Sequence, residues 1–321
     1  MKKALFISGA VLGAAVATVM YYTYRTCFFS PKKRDDDPHT PMQGEQYAPV
    51  QENMHRITNL MEKMSFEPVQ ICSHDGLLLY GRYYHTADHA PLQILFHGYR
   101  SHPLRDCAGG FLLARKLGFN VLVVDQRGHG KSGGKDITFG ILERQDCLRW
   151  AHYALYRFGR ETPVVLSGLS MGAATVLMAA SLPLPQNVVG IMADCPYDSP
   201  AGIICKVCKD RKMPTKLASP FIHGSAVTMA HFRLNAASAS EAVRHAKVPI
   251  LLIHGEDDRF VPCEMSHNIY KNCASPARLH TFPGAGHGLS YMTDPLRYEA
   301  VVLDFLESIP EIQAHLHKNE T

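Results

Sequence analysis

The feature that most constrains the fold is a regular alternation of short apolar segments with longer amphipathic ones between residues 67 and 308. The short segments have the length of strands, and the central ones are almost entirely apolar, as in strands whose two faces are both buried. The longer segments carry apolar residues at helical spacing. Strands that alternate with helices form a parallel sheet covered by helices on both faces. The sequence therefore predicts an α/β fold.

Eight strands follow from this pattern, at about 67–72, 77–84, 92–96, 120–124, 164–167, 188–193, 250–253 and 277–281. We predict helices at about 53–63, 107–117, 141–158, 171–181, 263–273 and 295–308. Residues 201–247 interrupt the alternation, because they contain two prolines and a run of small residues with weak helical periodicity. We expect these residues to form a small cap of short helices over one end of the sheet.

The N-terminal part of the chain has a different composition. Residues 4–24 carry no charge over 21 residues, and a helix of that length reaches across a hydrocarbon layer about 30 Å thick. Two lysines precede this run and three tyrosines close it, as in an aromatic belt. We interpret residues 1–29 as a single-pass membrane anchor; a cleaved signal peptide is the alternative, because Ala15-Val16-Ala17 is a small-residue site. Basic residues on both flanks leave the side of the membrane undetermined.

Residues 30–50 are rich in Pro, Asp, Lys and Gln and lack apolar periodicity, so we expect a flexible linker. Residues 51–321 then form one domain, into which the cap is inserted. The net charge of +4 is small, and part of it comes from the basic cluster at residues 32–34 rather than from a basic stripe. This pattern excludes nucleic acid from the expected partners.

The nine cysteines are scattered without the dense spacing of a disulfide scaffold, so we expect most of them to be free thiols. Cys205 and Cys208 form a Cys-x-x-Cys pair, but the sequence offers no second pair or histidines at suitable spacing to complete a zinc site. We therefore expect neither a metal nor an organic cofactor.

The strongest local motif is Gly168-Leu169-Ser170-Met171-Gly172, which follows a predicted strand and opens a helix of small residues. Strand, sharp turn and helix in this order are typical of a nucleophile elbow. A serine in such a turn is strained, and side chains two residues before or after it would collide with backbone, which glycine avoids. The helix N-terminus favours negative charge near the hydroxyl. Ser170 is therefore the predicted nucleophile.

A serine hydroxyl needs a neighbouring base, and histidine titrates in the right range. His287 lies in the glycine-rich segment 284–288, after the last predicted strand, where the histidine belongs in the chain order serine, acid, histidine. His97 is also a histidine and could be considered as the base, but we expect it to pack beneath the loop that follows the strand at 92–96. His287 is therefore the predicted base.

The acid that orients the histidine is expected after a strand between the serine and the histidine. Glu256, Asp257 and Asp258 follow the strand at 250–253. We choose Asp258 because it lies deepest in the loop, four residues before a proline, and Asp257 is the alternative. Asp194 and Asp198, after the preceding strand, occupy a rarer position for the acid and are typical of loop capping.

Two backbone amides are expected to bind the oxyanion of the tetrahedral intermediate. One comes from the residue after the nucleophile, Met171, and the other from the loop after the third strand. In that loop Gly98 allows close approach of the backbone, so the predicted second donor is the amide of Tyr99.

These segments together resemble the α/β-hydrolase superfamily from about residue 66 to residue 308. The resemblance rests on Phe96-His97-Gly98, the elbow, the acid loop, Gly286-His287 and the segment 125–132, Asp-Gln-Arg-Gly-His-Gly-Lys-Ser. It implies an α/β-hydrolase fold, with an eight-stranded, mostly parallel sheet, helices on both faces and a small helical cap, and it implies that Asp125, Arg127 and Ser132 are structural. The N-terminal segment, the cap and the Asp194-Cys195-Pro196 turn look most like bacterial membrane-anchored YqkD-type hydrolases.

The predicted function is that of a serine hydrolase that cleaves an ester-type bond through an acyl-enzyme on Ser170. The expected substrate is a small-molecule or lipid-like ester, and the expected membrane contact is the N-terminal helix. Two alternatives remain: a serine peptidase with the same triad, and a non-catalytic, membrane-tethered binding protein on the same scaffold. The complete triad argues against the second alternative.

Overall fold

A computed structural model describes residues 2–31, 37–42 and 44–317, with only the backbone of residues 2–12. The strands are β1 (Glu67–Cys72), β2 (Leu78–Tyr84), β3 (Leu92–Phe96), β4 (Asn120–Asp125), β5 (Val164–Leu169), β6 (Val188–Asp194), β7 (Ile250–Gly255) and β8 (Ala277–Phe282). The longer helices are α1 (Lys2–Cys27), α2 (Gln51–Lys63), α4 (Ala108–Lys116), α5 (Glu143–Phe158), α6 (Met171–Ala179), α7 (Pro200–Asp210), α8 (Thr215–Thr228), α10 (Glu264–Asn272), α12 (Pro295–Glu307) and α13 (Pro310–Leu316). The shortest are α3 (Pro103–Asp106), α9 (Ala239–Ala242) and α11 (Ser290–Thr293), with 3₁₀ turns at Glu45–Val50 and Val243–His245.

The eight strands form one sheet in the order β1-β2-β4-β3-β5-β6-β7-β8. β2 pairs antiparallel with β1 and β4, and the remaining neighbours pair in parallel. Parallel neighbours require crossover connections, which the helices supply. The predicted eight-stranded, mostly parallel sheet is therefore confirmed.

The central strands are apolar along their whole length because helices cover both faces of the sheet. In β4, Leu122 and Val124 enter one core, while Val121 and Val123 enter the other. Successive side chains of a strand point to opposite faces, so each buried strand supplies both cores at once. One core lies beneath α5, α6 and α10, and the other beneath α2, α4, α12 and α13. The predicted helical layers on both faces are present.

The cap is smaller than the predicted range 201–247. It consists of α7 and α8, which contact each other and bury Ile203 and Ile222 in the first core. α9 and the 3₁₀ turn that follows it pack against α6 and α10 instead. The C-terminal part of the predicted cap therefore belongs to the helical layer, because its small alanine side chains allow close packing on α6.

The end of the predicted N-terminal anchor is part of the domain. Tyr24 and Phe28 are both buried in the first core. The Tyr24 hydroxyl donates a hydrogen bond to Oδ1 of Asp136 at 2.6 Å. The ring of Phe28 meets the rings of Phe139 and Phe232 edge to face, with centroids 6.0 and 5.2 Å apart. The last turn of α1 and the residues after it therefore pack as core residues do.

Among the residues that the structure describes, no helix combines the length and the apolarity needed to cross a bilayer. The prediction of a single-pass membrane anchor over residues 1–29, with a membrane as a partner, is therefore not supported. The basic cluster at residues 32–34 lies outside the described residues.

The segment predicted as a flexible linker, residues 30–50, packs against the domain at its C-terminal end. Tyr47, in the 3₁₀ turn Glu45–Val50, is buried, and its hydroxyl donates to the carbonyl oxygen of His287 at 3.1 Å. A Cβ atom added to Gly286 would lie 2.1 Å from Oε1 of Gln46. The segment is polar in overall composition and was therefore predicted to be flexible. The burial of one aromatic residue, Tyr47, nevertheless holds its C-terminal end on the domain.

We predict that Phe28→Ala lowers the free energy of unfolding by about 3–5 kcal/mol, because it leaves a cavity among packed aromatic rings. Denaturant unfolding of the full-length protein measures the effect. The control is Val16→Ala in α1, a side chain that is 39% exposed, for which we expect a change within about 0.5 kcal/mol. Equal stability of Phe28→Ala and the wild type would contradict a structural role for the N-terminal segment.

Candidate active site

Ser170 occupies a sharp turn between β5 and α6. Its backbone angles, φ 55° and ψ −114°, are rare for a residue with a side chain. A Cβ atom on Gly172 would lie 2.1 Å from the carbonyl oxygen of Phe96, and one on Gly168 would lie 2.2 Å from the Gly172 carbonyl carbon. The amide of Ser170 donates to the carbonyl oxygen of Asp194 at 2.9 Å, which fixes the turn to the end of β6. Only glycine fits on either side of this serine.

The side chains of the three predicted triad residues lie together at the carboxyl edge of the sheet. His287 Nε2 is 2.9 Å from Ser170 Oγ, and His287 Nδ1 is 2.6 Å from Asp258 Oδ2. An ionised carboxylate beside Nδ1 assigns the ring proton to that nitrogen, so Nε2 can accept the hydroxyl proton. The geometry is that of a nucleophile, a base and an orienting acid.

The carboxylate of Asp258 is surrounded by donors. Its Oδ1 accepts the amides of Phe260 and Val261 at 2.9 and 2.8 Å. Its Oδ2 lies 3.3 Å from Nε2 of His254, in addition to its contact with His287. Burial opposes ionisation, but the hydrogen bonds from both histidines hold the pKa of the Asp258 carboxyl well below its usual range. Asp258 is therefore ionised in the neutral pH range.

The other predicted acids lie elsewhere. Asp257, the alternative to Asp258, is exposed, and Glu256 accepts a hydrogen bond from the Thr281 hydroxyl at 2.7 Å. Asp198 accepts from Ser199 at 3.0 Å and from Asn268 at 3.3 Å, as a residue that stabilises a turn does. The carboxylate that contacts His287 belongs to Asp258.

Asp194 ends β6 and is buried next to the triad. Its Oδ1 accepts from the Ser290 hydroxyl at 3.5 Å, and the Tyr298 hydroxyl also hydrogen-bonds to the carboxyl group. Burial raises the pKa of Asp194 to about 6, although nearby His254 and His287 oppose this change. The charge of Asp194 therefore changes close to neutral pH.

Two buried histidines support the loop that follows β3, residues 97–102, which we call the β3 loop. His97 donates from Nδ1 to the carbonyl oxygen of Gly98 at 2.8 Å and accepts the Gln126 amide on Nε2 at 3.0 Å. His129 accepts the amide of Arg100 on Nε2 at 3.1 Å. Burial lowers the pKa of His97 to about 4 and that of His129 to about 3, so both rings are neutral. His97 is a packing residue, and the supporting role of His129 was not predicted.

The β3 loop passes directly beside Ser170. A Cβ atom on Gly98 would lie 3.5 Å from Ser170 Cβ, and the Gly98 amide donates to Oδ2 of Asp106 at 2.8 Å. The predicted oxyanion donors flank this contact, because Tyr99 is the next residue of the loop and Met171 is the first residue of α6. Their function as donors remains a prediction.

Other residues of the segment 125–132 form a network of charged and polar contacts. Arg127 is bidentate to Asp146, at 2.6 and 2.7 Å, and to Asp75, at 2.9 and 3.1 Å. The Ser132 hydroxyl donates to the backbone oxygen of Asp125 at 2.5 Å. These contacts join β4, α5 and the turn before β2, which is the structural role expected for the segment.

All nine cysteines are free thiols. The thiol of Cys195 lies close enough to Asp258 and His287 for the three groups to share a metal ion. Burial raises the pKa of this thiol well above its usual range, and the two partners already bind each other. Because a metal ligand must be a thiolate, this group does not favour a metal.

Two cavities meet at Ser170. One, of about 480 Å³, lies between residues 37–42 and 46–47, the β3 loop and His287; we call it the polar cavity. The other, of about 500 Å³, lies between α1, α7 and α8; we call it the apolar cavity. Both are in the range of about 300–1,000 Å³ typical of sites for small organic ligands.

The sheet, the crossover helices and the strained serine turn define an α/β hydrolase. Residues 93–301 match the family model described as "Alpha/beta hydrolase family", and the chain belongs to that family.

Two relatives and one solved structure illustrate the match. The chain is 26% identical to YqkD of Bacillus subtilis over 312 residues, and this alignment covers 96% of this chain and 98% of that protein. It is 29% identical over 194 residues to human ABHD12B, covering 57% of this chain and 50% of that protein. The Pyrococcus furiosus esterase Pf2001 has a similar fold, with a TM-score of 0.61 and 22% sequence identity. The superposition covers 76% of this chain and 90% of the esterase chain. The predicted resemblance to YqkD-type hydrolases is confirmed.

We predict that the stability of the protein decreases as pH rises from about 4 to about 7 through the titration of Asp194. The carboxyl pKa is about 6 in the folded state against 3.8 for an ordinary aspartate, so the folded state binds more protons in this range. Asp194→Asn removes the buried charge and should raise the free energy of unfolding at pH 8 by up to about 3 kcal/mol. Near pH 4 most of the difference should disappear.

Denaturant unfolding of both proteins at the two pH values measures this effect. Asp198→Asn is the control, because that carboxyl group is partly exposed. If Asp194→Asn raised the free energy of unfolding equally at both pH values, the raised pKa of Asp194 would not explain the effect, and the prediction would be contradicted.

Proposed function

We propose that this hydrolase is a serine ester hydrolase that forms an acyl-enzyme on Ser170. The observation that supports the proposal is the continuous hydrogen-bonded chain from the serine hydroxyl through His287 to Asp258. His287 takes the hydroxyl proton as the oxygen attacks the ester carbonyl, and then gives that proton to the leaving alcohol. Water then attacks the acyl-enzyme as His287 takes its proton, the bond to Ser170 Oγ breaks as His287 returns that proton to the serine, and the carboxylic acid leaves.

The proposed oxyanion donors are the amides of Tyr99 and Met171. Met171 begins α6, so the positive end of the helix dipole lies next to the developing negative charge. His97 and His129 fix the β3 loop in place, which supports a donor geometry formed before the substrate binds. Neutral histidines suit this position because they hold the loop without adding a competing charge.

We predict that Ser170→Ala in the full-length protein lowers kcat for short p-nitrophenyl esters by at least about 10³-fold, since no other group can form the acyl-enzyme. A fluorophosphonate probe should label the wild type and not the variant. Ser181→Ala, a serine outside the site, is the control and should keep both properties. Hydrolysis or labelling of Ser170→Ala at the wild-type level would refute the proposal, and a wild type that never reacts would favour a binding protein.

We predict that substitution of Asp258 lowers kcat far more than substitution of its neighbour Asp257. Asp258→Asn removes the charge that orients the His287 ring and should lower kcat by about 10³–10⁴-fold. Asp257→Asn changes an exposed carboxylate one residue away and should leave kcat within about twofold. Steady-state hydrolysis of the same esters measures both. Similar losses for the two variants would mean that the loop, rather than the Asp258 carboxylate, supports activity.

A further inference from the structure

The two cavities that meet at Ser170 differ in the groups that line them. Charged and hydrogen-bonding side chains form part of the lining of the polar cavity, among them Asp37, Gln46, Arg105 and Asp106, and the rest includes Met54 and Met292. The apolar cavity is lined chiefly by aliphatic and aromatic side chains of α1 and of the cap. The polar cavity therefore suits the more polar end of a substrate, and the apolar cavity suits an apolar end.

The N-terminal helix forms one wall of the apolar cavity. The residues of α1 that line it recur every three or four positions, so they share one face of the helix: Val19, Tyr22, Thr23, Thr26 and Cys27. α1 crosses α8 closely, because Met20 packs on Gly224. The opposite wall includes a corresponding face of α7, formed by Ile203, Ile204, Val207 and Cys208.

The two arginines at the apolar cavity do not make it a site for anions. The Arg100 guanidinium donates to the carbonyl oxygens of Phe29, at 2.6 Å, and of Arg25, at 3.2 Å, where it satisfies backbone groups at the end of α1. Arg211 is exposed, so its charge lies at the rim in contact with water. Most of the remaining lining of the cavity is apolar.

The position of His287 orients the substrate between the two cavities. His287 lines the polar cavity and does not line the apolar one. The leaving alcohol must lie beside the imidazole that protonates it. The alcohol therefore projects into the polar cavity, and the acyl chain projects into the apolar cavity.

We infer that the substrate is an ester of a long aliphatic acyl chain with a more polar alcohol, and that the acyl chain lies between α1 and the cap. This inference rests on the proposed function. The carbonyl carbon bonds to Ser170 Oγ, the ester C–O bond breaks, and the alcohol leaves with the proton from His287. Each added methylene that enters the cavity should raise kcat/KM by up to about fourfold.

The first test compares two isomeric esters, methyl decanoate and nonyl acetate, with the full-length protein. They contain the same atoms, but only methyl decanoate places its long chain on the acyl side. We expect its kcat/KM to be at least about tenfold higher, and Ser170→Ala to lose activity on both. Equal rates, or a preference for nonyl acetate, would overturn the inference while Ser170-dependent hydrolysis leaves the proposed function standing. No Ser170-dependent hydrolysis of either ester would overturn both.

The second test fills the apolar cavity from its two walls. Val207→Trp on α7 and Thr23→Trp on α1 should each lower the ratio of kcat/KM for methyl decanoate to that for methyl acetate by at least about tenfold. Lys209→Trp is the matched control, because this exposed residue of α7 is absent from the lining of the cavity, and its ratio should equal that of the wild type. An unchanged ratio in both cavity variants would overturn the placement of the acyl chain, and two independent variants guard against misfolding of either one.

Discussion

The rest of the site depends on the close contact between the serine turn and the end of β3. The backbone of Gly172 touches the carbonyl oxygen of Phe96 so closely that no side chain fits between them. This contact brings the first turn of α6 against the β3 loop and holds Ser170 at a positive φ of 55°. A strained backbone persists only where its surroundings determine it fully. Here the parallel neighbours of β5 and the buried helix α6 supply that constraint.

Three buried polar groups around Ser170 and His287 are each held in one charge state. Asp258 is kept ionised by two backbone amides and two histidines, whereas His97 and His129 are kept neutral by burial. His254 lies against Asp258: its Nδ1 contacts the Ser266 hydroxyl at 2.6 Å, and its Nε2 lies 2.9 Å from the carbonyl oxygen of Val261 and 3.3 Å from Asp258 Oδ2. Low dielectric strengthens each of these contacts and makes an unpaired group costly. The site is therefore organised before a substrate binds.

The N-terminal segment is connected to the β3 loop through side chains as well as through the core. The Tyr99 hydroxyl donates to the carbonyl oxygen of Cys27 at 2.8 Å, and Arg100 donates to two further carbonyl oxygens nearby. Residues of the β3 loop thus satisfy backbone groups at the C-terminal end of α1, which a helix cannot satisfy by itself. These hydrogen bonds therefore fix the position of α1, which bounds the apolar cavity, relative to the loop beside Ser170.

The sequence alone determined the eight strands and the helices α4, α5, α6, α10 and α12 to within two residues, and it singled out Ser170, Asp258 and His287. Apolar periodicity and glycine spacing are local properties, and the chain order of elbow, acid loop and histidine loop follows from them. The tertiary structure decided what α1 contacts, how Tyr47 holds the preceding segment, and which histidines support the loops. An apolar helix carries the same local pattern whether it meets lipid or protein, and a buried histidine acquires its role only from residues distant in the chain.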